Sequence, residues 1–581
     1  MKQTFLSFCV FFLVPLFLFS QTNIFSTNAL AEKILLGNYN PADYAALQPT
    51  TRIPAVLAAD IEARISPDSL KSYIFRLSQF GTRNTGSDTL SATKGIGASR
   101  RWVHQQFETF SAANSNRLVV SYLQFDTAIC TVGRHRNIFA VLPGANPANN
   151  GVILVEGHID SRCNVVCDTA CLAEGVEDNA TGTALVMELA RVMAQYEFQH
   201  SIVFLVTIGE EQGLIGADAF ADYVQQKEIP LRAVLNNDVI GGIICGQTSS
   251  APSCPGLNNI DSTSVRLFSS GGFNSKHKQL ARFIKLEYQE NVFATTAVPM
   301  NVRIMSPEDR TGRGGDHIPF RKLNYAAMRF TSANEHGDAS NGPNYTDRQH
   351  TAADVLGVDT DGNGTIDSFF VDFNYLTRNA VINANAAAVA ARGVPAPPDF
   401  TATRSGSILT VNFNPPLDTN TVRVALRSTT NDWDTVYAVT GGASASFPCN
   451  PTGGLSVSLA SVDYWQAESL FGVEKNVTTS ATQEAVGTED ERNIRLFQNR
   501  PNPFDEATWI SFWVENMPAY REAMVQISDM QGKVIERIPV KLQQGMNETL
   551  YTHGYGVRGT FVYTLLVDGA VVDGREMIFA N

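Results

Sequence analysis

The sequence predicts an α/β domain, a mostly parallel sheet with helices on both faces, followed by two small all-β sandwich domains. Three observations predict it. Apolar runs of strand length alternate with amphipathic helical stretches over residues 66–393, the pattern of a covered parallel sheet. The composition changes at a proline-rich boundary, GVPAPPDF, that starts at Gly393. Beyond it, short strand-like runs are separated by turn residues. The chain has 581 residues, 44% hydrophobic and 17% charged. That is enough to bury a core in each of several domains, and it is unlike a disordered chain or a coiled-coil rod. A mean hydropathy of −0.08 excludes a polytopic membrane protein. The net charge is −13, from 44 basic and 57 acidic residues. An acidic chain gains no counterion-release affinity, so no nucleic-acid partner is expected.

In chain order, residues 1–20 hold Lys2 and the apolar run TFLSFCVFFLVPLFLFS, which has the form of a secretory signal peptide cut near Ser20. The A-L-A at Ala29–Ala31 is a second cut signal, far past the apolar run, and Pro15 and the short run argue against a membrane anchor. No transmembrane segment is expected in the mature form. Residues 21–65 lack a long periodic stretch and read as a leader or propeptide. From Ser66 to Phe110, Ile74, Leu77, Phe80, Trp102, Val103 and Phe107 recur at helical spacing. Val152–Val155 is a buried-strand run. A helix over Thr181–Tyr196 follows, with Leu185, Leu189, Val192 and Met193 on one side. Then come a strand at Ile202–Thr207, a helix at Ala217–Gln226, strands at Ala233–Asn236 and Tyr325–Thr331, and an Ala-rich helix at Phe370–Arg392. Strands at Ile408–Phe413, Val422–Leu426, Val436–Val439 and Leu455–Val462 make up a module at 394–480. A polar linker at 481–492 leads to a last strand-rich domain at 493–581.

Seven cysteines remain once Cys9 leaves with the signal peptide: Cys130, Cys163, Cys167, Cys171, Cys245, Cys254 and Cys449. The count is odd, so at least one has no partner within the chain. Cys245 and Cys254 can close a short loop. Cys163, Cys167 and Cys171 are four apart, and for an exported chain disulfides are favoured there over metal.

Metal chemistry is indicated by where His, Asp and Glu fall. These are the ligands of hard and borderline divalent ions, and open α/β sheets place active residues at the carboxyl ends of strands. VILVEG is followed by His158 and Asp160, IVFLVTIG by Glu210 and Glu211, and AVLNN by Asp238, while Glu177, Asp178 and Asn179 precede the helix at Thr181. Any one cluster can be a solvated strand end or, at Asp178–Asn179, a helix cap. Asn179-Ala-Thr181 also fits a glycosylation acceptor. Together and in this order the clusters point to one crevice. There is no H-E-x-x-H and no G-x-S-x-G, so a thermolysin-like helix and a nucleophile elbow are not the chemistry.

HID, EDNATG, GEEQGLIGA, NNDVIGG, GGDHIPF and a late HTAAD occur in that order. The set resembles the di-zinc aminopeptidases of metallopeptidase family twenty-eight over about residues 66–392. The resemblance implies a zinc exopeptidase, phosphorylase/hydrolase-like fold and two zinc ions. It implies that His158 and Asp238 serve one metal, that Glu211 and His350 serve the other, and that Asp178 bridges them. Asp160 would orient His158. Glu210 would be the general base, taking a proton from the metal-bridging water and passing it to the leaving amine. His317 competes with His350 for the last ligand position; the resemblance favours His350 and leaves His317, with Asp316, to line the substrate pocket. Some relatives carry Tyr just before the last His. Gln349 stands there instead, and Tyr345 is the substrate-binding candidate for that task.

The expected activity is a secreted aminopeptidase acting on peptide or protein substrates. Glutaminyl cyclases share the fold and cyclise N-terminal Gln. Carboxypeptidase relatives need a cation for a free carboxylate, for which Arg162 and Arg313 are candidates. An inactive surface-binding protein is the alternative from another class. Asp359, Asp361, Asn363, Gly364 and Asp367 resemble a calcium loop, but its twelfth position is Phe370 rather than Glu, so a polar turn without calcium is an equal reading. Residues 394–480, with VDYWQAESLFGVE, resemble a fibronectin type III module, read as a spacer. LFQNRPNPF, VQISDMQGKVI and GTFVYTLLVDG in 493–581 resemble a type IX (Por) secretion sorting domain. That implies the secretion machinery as a partner and export across both membranes of a Gram-negative bacterium.

Overall fold

The computed structural model describes residues 21–46, 53–245, 259–272, 274–306, 308–309, 313–333, 348–417, 419–428, 431–450, 453–477, 494–515, 517–529, 533–553 and 559–580. The signal peptide at 1–20, the linker at 481–492, Cys254 and Tyr345 lie outside the described residues.

Nine strands form the central sheet: β1 (Thr22–Ser26), β2 (Val119–Ile129), β3 (Val132–Leu142), β4 (Val152–His158), β5 (Ser201–Thr207), β6 (Leu231–Asn237), β7 (Ser264–Phe268), β8 (Asn301–Ile304) and β9 (Ala327–Ser332). Their spatial order is β1-β2-β3-β5-β4-β6-β9-β7-β8. The centre, β5-β4-β6-β9, is parallel. β1, β2 and β3 extend one edge antiparallel, and β7 runs against β9. Every residue of β4 and β5 is buried, which is why both read as unbroken apolar runs rather than alternating ones. Residues 21–65, expected to be irregular, instead supply β1, α1 (Ala29–Leu35) and α2 (Pro54–Arg64), with Ala31, Ile34, Leu57 and Ile61 in the main core. β1 is only five residues long and pairs along β2, so periodicity alone had little to detect.

The remaining helices are α3 (Pro67–Ser78), α4 (Gly95–Ala113), α5 (Thr181–Met193), α6 (Ile215–Gln226), α7 (Lys276–Asn291), α8 (His317–Lys322) and α9 (Phe373–Ala390). Two groups flank the sheet: α3, α5, α7 and α9 pack together, and α6 packs with α8. Their starts follow local chemistry. Ser66 accepts from the Ser69 N–H and Pro67 occupies the first turn of α3, while Asp372 accepts from the Tyr375 N–H at the start of α9. A short hairpin, β10 (Gly357–Val358) with β11 (Ser368–Phe369), precedes α9.

Each of the two later domains holds a three-stranded and a four-stranded antiparallel sheet. Leu409, Val411, Val424, Val457 and Leu459 share one core, and Ile510, Phe512, Val525, Ile527, Tyr563 and Leu565 share the other. Both domains sit on α7. Arg282 donates to the Asn431 carbonyl at 2.6 Å, Lys285 pairs with Asp432, and Glu474 accepts from the Asn274 N–H at 2.9 Å. Lys278 is buried facing Glu506 of the last domain, whose carboxylate also accepts from the backbone N–H of Glu308.

Glu287 of α7 and Glu468 of the second domain form a buried carboxyl pair beside Arg423, whose guanidinium Glu290 also holds. Burial and then the Glu468 charge raise Glu287 well above the usual range. Burial pushes Glu468 up to about 7 against the pull of Arg423. The folded chain therefore keeps a proton that the unfolded chain releases near the ordinary Glu value, and this contribution to stability declines as pH rises toward about 7. The melting temperature is expected to fall by a few degrees between about pH 5 and about pH 7.5, and less steeply in Glu468→Gln. Equal slopes in the two proteins would show that the pair carries no extra proton.

Candidate metal centre

The site lies where the parallel strands end. His158 is the last residue of β4, Glu210 and Glu211 follow β5, Asp238 follows β6, and Asp178 and Asn179 sit in the turn that opens α5. Close approach of α5 to the strand ends makes this convergence possible. A Cβ on Gly182 would stand 2.2 Å from the Asn237 carbonyl oxygen, and one on Gly157 would stand 2.9 Å from the Gly182 carbonyl carbon. Only glycine fits at either place. Asn179 then locks the turn, donating to the Asn237 carbonyl at 2.8 Å and accepting from the Gly182 N–H at 2.9 Å. This buried role leaves no room for a glycan.

Asp178 stands between two imidazoles. Its Oδ1 lies 3.2 Å from His158 Nε2 and its Oδ2 3.0 Å from His350 Nε2. His158 Nε2 is also 3.3 Å from Asp238 Oδ1, and His350 Nε2 is 3.2 Å from Glu211 Oε2. Two groups of donor atoms result, each within 4.8 Å: His158, Glu210 and Asp238, and Asp178, Glu211 and His350. Imidazole with carboxylate is a donor set that suits zinc, so these residues fit two such ions. His350 and Val239 both hold positive φ, +58° and +56°, a conformation uncommon for non-glycine residues and least expected of a β-branched one.

The surroundings fix these side chains. Asp160 does more than the sequence suggests. Its carbonyl is 3.1 Å from His158 Nδ1, and its carboxylate accepts from the backbone N–H groups of Glu210 at 3.3 Å and Glu211 at 3.2 Å. Asp354, the last residue of HTAAD, accepts from the N–H groups of Glu177 at 2.8 Å and Asp178 at 3.0 Å. Arg162 donates from Nε to Glu211 Oε2 at 2.7 Å, and its Nη2 lies 2.7 Å from His350 Nδ1. The loop that carries Arg162 is tied down by disulfides Cys163–Cys171 and Cys130–Cys167. Cys245 is disulfide-bonded as well, and Cys449 is a free thiol.

Burial, followed by the charges of Asp238, Glu211 and Asp316, holds the Glu210 carboxyl well above its usual value against the pull of His158. Burial pushes Asp178 the same way, but the two imidazoles overcome it and hold Asp178 well below its usual value. Burial would lower His158, yet Glu210, Asp160, Asp178 and Asp238 raise it. Beneath the site Glu156 and Asp316 are fully buried. Burial and neighbouring acids push Glu156 well up and Asp316 to about 7.

A cleft of about 400 Å³ opens onto this cluster and is lined by Arg162, Glu210, Leu214, Val239, Arg313 and Ile318 among others. His317 does not line it. It starts α8 with its ring fully buried and Nε2 3.7 Å from Glu308, and burial lowers its pKa to about 3. The helix start turns the ring inward, and Asp316 is buried with it, accepting from Thr207. Gln349, just before His350, is also buried, with Oε1 accepting from Arg313 at 2.9 Å. The third acidic group, Asp359, Asp361 and Asp367, is exposed at the β10–β11 turn, where Asp359 already accepts from the Gly362, Asn363 and Gly364 N–H groups. Arg329 and Asp354 were not singled out in the sequence. The legible signals were a lone cation inside the buried strand AMRFTS and the final Asp of HTAAD.

Known proteins resemble this chain over the same region. The family model described as peptidase family M28 matches residues 137–371. A probable zinc metalloprotease of Leptosphaeria maculans is 32% identical over 331 residues, 55% of this chain and 73% of that protein. One of Pyrenophora tritici-repentis is 32% identical over 337 residues, 56% of this chain and 74% of that protein. The LapA aminopeptidase structure of Legionella pneumophila is 14% identical with a TM-score of 0.42, covering 58% of this chain and 74% of that one. The family match contains His158, Asp178, Glu210, Glu211, Asp238 and His350, and the identity to the fungal proteins extends across nearly three quarters of their length: the chain belongs to peptidase family M28.

Proposed function

We propose that the protein is a zinc-dependent exopeptidase that removes N-terminal residues from peptides. One observation carries this reading: Asp178 faces His158 with one carboxylate oxygen and His350 with the other, so that two donor sets share one bridging acid. His158 and Asp238 would hold one ion, Glu211 and His350 the second, and Asp178 both. Bound there, zinc ions would supply Lewis-acid polarisation of the scissile carbonyl and a more acidic water at neutral pH.

The chain's own residues do the rest. Glu210, whose carboxyl is pushed up, takes a proton from the attacking water and returns it to the leaving amine. Asp160 holds Glu210 and Glu211 in place through their backbone N–H groups, so the base and the adjacent ligand keep a constant separation. Leu214, Val239 and Ile318 give the cleft an apolar wall for a substrate side chain.

Export belongs to the same proposal, with residues 1–20 as the signal peptide and 493–581 as the sorting domain that addresses the type IX machinery. The two disulfides of the 163–171 loop support an oxidising compartment. No described helix is long and apolar enough to cross a membrane.

The test is turnover of an amino-acid anilide panel by the mature protein, with chelator and with zinc restored. Release from free-amine substrates only, lost with chelator and regained with zinc, is the expected result. A second reading is favoured by Arg162 and Arg313 in the cleft wall: a carboxypeptidase that binds a free carboxylate. N-blocked peptides with free carboxyl ends would then be cleaved and the anilides left intact.

A further inference from the structure

We propose that Arg329 is a positioning residue for the metal centre, holding the Asp238 carboxylate so that a single oxygen faces His158. The inference rests on Asp238 being a metal ligand. Asp238 divides its oxygens: Oδ1 is 3.3 Å from His158 Nε2, and Oδ2 is 3.2 Å from Arg329 Nε. Arg329 lies in β9, in register with Asn236 of β6, and is 1% exposed. A cation that deep in the sheet must be paired. It is, and not by Asp238 alone: Nη1 donates to Asp309 Oδ2 at 2.8 Å and to the Gly314 carbonyl at 2.6 Å.

The second partner determines the role. Asp309 is a second carboxylate on the same guanidinium, so Arg329 is shared and is not a counterion for Asp238 alone. Nη1, hydrogen-bonded to Asp309 and Gly314, fixes where the guanidinium stands, and the ion pair at Nε then draws Oδ2 of Asp238 to that side. A planar guanidinium can be anchored through Nη1 and still present Nε to a second carboxylate, whereas an ammonium is a point charge with no fixed plane. Gly315 shows how tightly the arrangement is built. A Cβ there would come within 3.0 Å of Arg329 Cδ and 3.1 Å of Asp238 Oδ2. The same guanidinium thus ties Gly314, part of the cleft wall, to Asp238. Rotation of Asp238 to offer both oxygens, or the other one, would require breaking this contact.

Zinc affinity of the full-length, zinc-loaded protein, measured by competition with a chromophoric chelator, tests the role without using activity. Arg329→Gln is expected to weaken one of two zinc equivalents by about 10- to 100-fold and to leave the other unchanged. Asp309→Asn should weaken the same equivalent less, and Arg329→Lys should recover part of the loss. If a folded Arg329→Gln protein binds both equivalents as before, or weakens both equally, Arg329 is not a positioning residue for Asp238. If Arg329→Gln does not fold, Asp309→Asn decides by the same criteria. Asp238→Asn separates the two ideas. If it keeps both equivalents, the metal-centre reading itself fails. If it loses one while Arg329→Gln loses none, only the present inference fails.

Discussion

Replacing Glu210 by Gln should lower kcat on the order of a thousandfold while both zinc equivalents remain bound. The substitution preserves shape and replaces a carboxylate that can accept a proton with a neutral amide that cannot. Its backbone N–H stays with Asp160 and its neighbour Glu211 keeps both His350 and Arg162, so the group of Asp178, Glu211 and His350 is not disturbed. The measurement is paired, steady-state turnover with metal content on the same sample, because the geometry allows Glu210 a second role. It stands with His158 and Asp238 in one donor group. Loss of turnover with metal retained makes Glu210 the base. Loss of one zinc equivalent makes it a ligand. Unchanged turnover removes it from the chemistry.

The second large effect is expected at Asp178. Asp178→Asn keeps the size of the side chain but leaves one oxygen and no charge, and a neutral amide cannot bridge two cations. Both zinc equivalents should weaken together, and turnover should fall to background. The two imidazoles that now face the carboxylate at 3.2 and 3.0 Å would also lose their shared partner. The influence that holds Asp178 well below its usual value is the same contact with His158 and His350. Chelator titration read by isothermal calorimetry distinguishes this outcome from a single-site loss, which would mean that Asp178 serves one ion only.

What could be read from the sequence follows from how each element is buried. β4, β5 and β6 lie at the centre with both faces covered, and their apolar runs stand out in the chain. α7 was not legible for the opposite reason. Its residues Lys278, Gln279, Arg282 and Glu287 are buried although polar, and the two further domains meet it at Lys278, Arg282 and Glu287. Hydrophobic periodicity cannot report a face whose covering is ionic. The hairpin β2–β3 was missed because half-buried Asp126 and Arg136, exposed Arg134 and buried His135 interrupt it near its turn. At the site, strand-end motifs placed His158, Asp178, Glu210, Glu211 and Asp238 together, since adjacent strands end at one edge. His317 failed because a motif gives proximity along the chain and not the direction in which a helix start turns its ring. Arg329 needed the register of β9 against β6, which no local pattern contains.

The seat of the last domain has a consequence for any shortened form of the chain. Glu506 accepts from the Glu308 N–H and faces buried Lys278, whose pKa burial lowers to about 8. A protein ending before residue 493 would turn Lys278 toward water, and its ammonium would regain an ordinary basicity. Glu308 would lose its backbone acceptor one residue from Asp309, the partner of Arg329. Trimming would therefore leave a catalytic unit with a new positive surface spot and a looser wall beside the cleft. An engineer choosing a boundary, or a protease making one, alters the enzyme as well as its size.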